Sequence, residues 1–198
     1  MSSPRFWDRF SLKLEPERFR IDQISPIQRA LVLVKFYIER TKDHPFSFMF
    51  TGSSRTTKYS FRILETLVAH ADPWYIACLT GHEKYLYKSL PEAKGRFRQL
   101  HSLQIRFFLR SEHRIPLDVF QDAPNLTRVW RSDYCQLPWS TLAVLHIDKL
   151  DSARRIYENL GEMTSLEELV AKGFPDVGHD VPNTSPIELP SLKLLSTH

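Results

Sequence analysis

The chain moves repeatedly between two hydrophobic periods. In residues 25–42, Ile27, Leu31, Val34 and Ile38 recur at spacings of 4, 3 and 4, which puts them on one stripe of a helix. Ser25 stands as the cap and Pro26 occupies a first-turn position that tolerates proline. Phe61, Leu64, Leu67 and Val68 predict a second helix over 58–70, and Ala153, Ile156, Tyr157 and Leu160 a third over 152–163. Residues 116–120 read as one or two helical turns. The stretches between these segments alternate instead. Phe46, Phe48 and Phe50 point one way against Ser47 and Met49, and Trp74, Ile76 and Cys78 share a face of the next stretch, the period of 2 of a half-buried strand. Helix alternating with strand predicts an α/β layer with parallel neighbours.

The second half adds an internal repeat. Leu100-x-x-Leu103-x-Ile105 recurs as Leu126-x-x-Val129, Leu142-x-x-Leu145-x-Ile147, Leu166-x-x-Leu169 and Leu189-x-x-Leu192-x-Leu194. The successive offsets are 26, 16, 24 and 23, and three of the four fall in the range of about 20–29 residues of leucine-rich repeats. Turn signals precede most copies: Ala123-Pro124-Asn125, Leu137-Pro138-Trp139, Met163-Thr164-Ser165 and Pro186. The expectation is an α/β fold, an irregular leucine-rich-repeat-like solenoid with short parallel strands and variable helices or loops outside, forming one domain over 1–198. An open α/β sheet without true repeats is the alternative. Repeat arrays need polar end caps, and neither end carries one. The last strand is read at 189–195, and Phe6, Trp7, Phe10, Leu12 and Leu14 make an aromatic-rich strand at the front. A partner or further chain is expected to cover these edges.

Composition narrows the class without changing this outline. With 42% hydrophobic residues, 13 Phe, 7 Tyr and 4 Trp, the chain can bury a core, which excludes disorder as its main state. Its longest apolar run, Ala30 to Val34, stops at Lys35, far short of the roughly 20 residues of a membrane span. The opening MSSPRFWDRF lacks the apolar centre of a secretion signal. The N-x-S/T triplets at Asn125 and Asn183 therefore carry no glycosylation reading. Two cysteines, Cys78 and Cys135, are expected as buried thiols in a reducing compartment, cytoplasmic or nuclear. The net charge of +4 is mild. Its densest stretch holds Lys94, Arg96, Arg98, Arg106, Arg110 and Arg114 against Glu112. This is read as a solvated rim, with a nucleic-acid-associated protein using that patch as the alternative function.

Catalytic chemistry is not visible. The eight histidines form no recognised metal-ligand spacing, and Cys78 with His82 crosses the end of a predicted strand. Residues 51–58, TGSSRTTK, form a polar strand-to-helix loop with one glycine where a phosphate cradle needs more. The expectation is a non-enzyme with no cofactor and no metal, and no membrane partner. A partner surface is visible. In a strand-lined solenoid the concave face is built from residues between the buried aliphatics. Here these are Gln104, Arg106, Arg128, Trp130, His146, Asp148, Glu168 and Lys193.

A further set of segments carries a family resemblance. Ser3-Pro4-Arg5-Phe6-Trp7 with Phe10-Ser11-Leu12, then Ile63 to His70 followed by Trp74, Val119 to Leu126, Leu137 to Leu142 and Ile187 to Leu195 together resemble fungal F-box proteins with a degenerate leucine-rich-repeat region, abundant in mushroom-forming fungi. The resemblance implies a substrate-recognition subunit of a cullin-type ubiquitin ligase. In that family the F-box helices bind a Skp-family adaptor and the repeat region receives the target. Ser3 to Trp7 matches the stretch directly after the F-box, so the adaptor-binding helices would precede Met1. A truncated gene product without independent function is the remaining alternative.

Overall fold

The computed structural model describes residues 9–13, 25–52, 57–108, 116–130, 135–147, 159–171 and 188–197. They form eight strands and three α-helices: β1 (Arg9–Lys13), α1 (Ser25–Thr41), β2 (Phe46–Thr51), α2 (Thr57–Val68), β3 (Trp74–Gly81), α3 (Glu83–Ser89), β4 (Ser102–Phe107), β5 (Arg128–Trp130), β6 (Val144–Ile147), β7 (Glu168–Ala171) and β8 (Leu194–Thr197). Short 3-10 turns stand at Leu90–Ala93 and Trp139–Thr141. All eight strands lie in one open parallel sheet, each beside its sequence neighbours. Parallel neighbours require a crossover after every strand. Those crossovers shrink from whole helices in the first half to a 3-10 turn between β5 and β6.

Register stacks equivalent residues into columns. Phe10, Phe48, Ala77, Leu103, Val129, Leu145, Leu169 and Leu195 are successive cross-strand partners. From Phe48 to Leu169 this column is buried, and the next inward column, with Leu79, Ile105, Ile147 and Ala171, is buried too. Each Phe, Leu, Ile or Val in them contributes roughly 1.5–3 kcal/mol on leaving water. The helices close the core from one side. Ala30, Val34 and Ile38 of α1, Ile63, Leu64, Leu67 and Val68 of α2, and Leu86 of α3 join the same cluster.

The six strands β3 to β8 are entered through the same turn. The amide of Trp74, Leu100, Leu126, Leu142, Leu166 or Leu192 donates to the carbonyl three residues earlier, at 3.1 to 3.3 Å. One residue on, the carbonyls of His101, Thr127, Ala143 and Glu167 each accept two amides from the following turn, at 2.8 to 3.1 Å. Small polar side chains add lateral links: Asn125 donates to the Arg98 carbonyl at 2.6 Å and Ser191 to the Thr164 carbonyl at 2.9 Å. These bonds pair backbone groups that the tight turns would otherwise leave unsatisfied. Asn125 serves here as a stitch between turns.

Several sequence expectations need correction. The last strand is Leu194–Thr197 rather than 189–195. Leu192, not Leu189, is the partner in place of Leu166, and Leu195 sits 26 residues after Leu169. The motif misleads because the turn and the strand entry use the same spacing: Leu189-x-x-Leu192-x-x-Leu195 contains L-x-x-L twice. A copy was also missed upstream. Ala71-x-x-Trp74-x-x-Ala77-x-Leu79 has the same turn and register with alanine and tryptophan in place of leucine. In β3 the inward residues after Trp74 are Ala77 and Leu79, while Ile76 and Cys78 face outward. The register shift at Phe46/Ser47 accounts for the change of side. Residues 116–120 are not helical. Leu117 bridges to Cys135, and Val119 and Phe120 lead into a turn with Phe120 packed on Phe97 at 4.8 Å. Of the third expected helix, residues 152–158 lie outside the described residues. Residues 159–160 are helical, but the expected end at Met163 is not: Met163 is buried in the turn before β7. At the front, Phe10 stacks on Tyr37, Phe46 and Phe48 at 5.1 to 5.9 Å, while Phe6, Trp7 and Leu14 lie outside the described residues.

Candidate partner-binding face

Inward side chains alternate with a second set on the opposite side of the sheet. The residues one before the inward column, Ser102, Arg128, Val144 and Glu168, form one outward column, and those one after it, Gln104, Trp130, His146 and Val170, form the next. Arg106 stands one step further along β4, beside Thr80. These side chains are half-buried or exposed apart from Ser102. The alternation that buries Leu103, Val129, Leu145 and Leu169 necessarily sends their neighbours to this open side.

Lateral pairing brings three of the expected residues together. The Trp130 indole meets the His146 ring edge to face, with centroids 6.0 Å apart and planes at 83°. His146 Nε2 lies 2.7 Å from Glu168 Oε1. Trp130, His146 and Glu168 thus form a continuous chain of contacts across β5, β6 and β7. Gln104 is the register partner of Trp130 on the other side. Lys193 is not on this face. It precedes β8 in the turn and pairs there with Glu167, 3.0 Å away. Asp148 lies outside the described residues. Met49 faces outward as its alternation with the phenylalanines predicts, and the outward residues that were not anticipated are Ile76, Val144 and Val170. Alternation alone reaches them once register is known.

Among the described residues, the basic stretch of the sequence does not form one patch. Lys94 donates to Asp118, and Arg96 donates to Asp72 and, at 3.0 Å, to the Ala69 carbonyl. The hydrogen bond from Arg96 holds the Asp72 carboxyl below its ordinary range, and that from Lys94 does the same for Asp118. Both cations tie the turn before β4 or β5 to a neighbouring turn, while Arg106 projects from the sheet face. Arg110, Glu112 and Arg114 lie outside the described residues. A polyanion reading needs an unbroken cationic track, and two of its members are committed to carboxylates.

Cys78 lies in β3 and His82 just beyond its end, so the one Cys–His spacing in the sequence does not share an element. Cys135 is buried, but Cys78 is only half-buried, on the open face beside Gln104, which corrects the expectation for one of the two thiols. His82 instead caps α3, its Nδ1 accepting the Lys84 amide at 3.3 Å. Partial burial pushes the Cys78 thiol above its ordinary value. Since the thiolate is the reactive form, iodoacetamide at pH 8 should alkylate the native chain more slowly than a free cysteine peptide. Rates equal to the peptide's would mean that Cys78 is fully solvated. Among the described residues, no cluster of three or more His, Cys, Asp or Glu could hold a metal ion. Likewise, no described helix is long and apolar enough to cross a membrane. The chain matches no family model, no curated protein and no solved structure.

Proposed function

We propose that this chain is an irregular leucine-rich-repeat solenoid acting as a non-enzymatic protein-interaction module, the target-receiving region of an F-box-like subunit of a cullin-type ubiquitin ligase. The observation that carries the interaction reading is the row Gln104, Trp130, His146 on adjacent strands of the open face, with Trp130 only half-buried. An indole left at the centre of an open sheet is the residue type most often found at binding hot spots. The recurrent turn and column register support the solenoid reading, because each unit buries its apolar column only against its neighbours. The ligase connection rests on the sequence resemblance.

The test is a tagged chain recovered from its host alongside a Trp130→Ala variant. The variant should keep the wild-type circular dichroism and melting curve while losing about tenfold or more in target capture, since hot-spot truncations cost about 2 kcal/mol or more. A variant that melts early would make Trp130 a core residue. Co-purification of a Skp-family adaptor and a cullin supports the ligase role, and their absence beside a captured target removes it.

A further inference from the structure

The open face around Trp130 has a charge pattern of its own. Going along the strand direction, Arg128 stands at one level, Trp130 with its partner Gln104 at the next, and Arg106 at the level after that. Each level is two residues on, about 6.6 Å, and the two arginines lie about 13 Å apart along the strands. Both are exposed, and neither has an ion-pair partner among the described residues. Glu168 is the one carboxylate on the described part of this face, and His146 already holds it. The centre carries no free charge: Gln104 and His146 flank Trp130, Val170 lies beside His146, and Val144 lies beside Arg128.

We infer that this face receives an acidic protein segment in extended form, an apolar side chain lying on Trp130 and a carboxylate on each side of it meeting Arg128 and Arg106. This deepens the interaction reading above and rests on it. An extended segment turns every second side chain the same way at about 6.6 Å intervals, so the pattern acid-x-apolar-x-acid matches the three levels. Guanidinium groups suit carboxylates because they bind them through two parallel hydrogen bonds. A polynucleotide fits less well. Two cations neutralise only two phosphates, and the level between them holds Trp130 and the uncharged Gln104.

The test pans the full chain against a displayed library of random dodecapeptides. Enriched peptides are then measured by fluorescence anisotropy on the wild type, Trp130→Ala and the double variant Arg106→Glu, Arg128→Glu, with an oligothymidylate as competitor. The enriched peptides should share acid-x-apolar-x-acid. The double variant should bind them about tenfold more weakly or worse, and panned itself it should enrich basic residues at the same two positions. Arg106→Gln with Arg128→Gln gives the same direction if charge reversal disturbs folding. Enriched peptides that depend on Trp130 but lack acidic residues would overturn the acidic partner and leave the interaction face standing. No enrichment, or binding indifferent to Trp130, would overturn both. Displacement of the peptides by the oligothymidylate at lower concentration than by unlabelled peptide would make the face a nucleic-acid site and overturn the inference.

Discussion

Replacing Trp74 by alanine should lower the unfolding free energy by about 3–5 kcal/mol, the cost of emptying a fully buried aromatic site. Trp74 is 0% exposed. Its indole packs against Phe48 at 4.7 Å and Phe97 at 5.4 Å, so it joins β2, β3 and the turn before β4 in one aromatic core. Phe97 in turn meets Phe120 at 4.8 Å, which carries the same packing into the turn before β5. The indole N–H has no hydrogen-bond partner among the described residues, so the substitution removes packing without orphaning a described acceptor. Trp74→Phe should therefore lose much less, and Met49→Ala, on the exposed side of β2, should stay within about 0.5 kcal/mol. Urea titration followed by circular dichroism separates the three. A loss below about 1 kcal/mol for Trp74→Ala would show that this aromatic cluster does not hold the strands together.

The second large effect sets two adjacent residues against each other. Leu145 is 2% exposed and lies between Val129 and Leu169 in the inward column. Leu145→Asp should cost more than about 4 kcal/mol, because it removes aliphatic packing and places a carboxylate among aliphatic neighbours. The chain should then lose soluble yield and its cooperative melt. His146→Ala, one residue on and facing the open side, removes the contact to Trp130 and frees Glu168, and it should change stability by less than about 1 kcal/mol. A one-residue slip of β6 would exchange the two faces. Finding His146→Ala the more damaging of the pair would establish that slip and move the candidate face to the other side of the sheet.

The helices α1 and α2 were legible because their apolar residues recur with the helical period: Val34, Ile38, Leu64 and Leu67 all reach the core. The inward identity of Leu103, Leu145 and Leu169 was legible for a similar reason, since aliphatic residues at matching offsets announce a shared environment. The copy centred on Trp74 and Ala77 escaped notice because a repeat constrains volume and position rather than residue type. The copy at Leu192 was placed three residues early because one spacing serves both turn and strand. For the open face, strict alternation along β4 to β7 put Gln104, Arg106, Arg128, Trp130, His146 and Glu168 on one side. Lys193 was misassigned by the same three-residue slip that displaced β8.

Which way a side chain points within a strand is a local matter, set by the two-residue period of extended backbone, and in β4 to β7 the order of residues was enough to read it, whereas the irregularity at the start of β3 reversed it there. Lateral neighbours are a different matter. The residues that bring Trp130 beside His146, and His146 beside Glu168, are joined only through crossovers that leave the sheet and return, and no local period records where a returning strand will align. The same holds for the basic stretch, where Lys94 and Arg96 find Asp118 and Asp72, each 24 residues away along the chain, one turn over in space. Burial of the aliphatic columns selects one register out of many, and that selection alone makes a line of Arg128, Trp130 and Arg106 out of residues from two different strands.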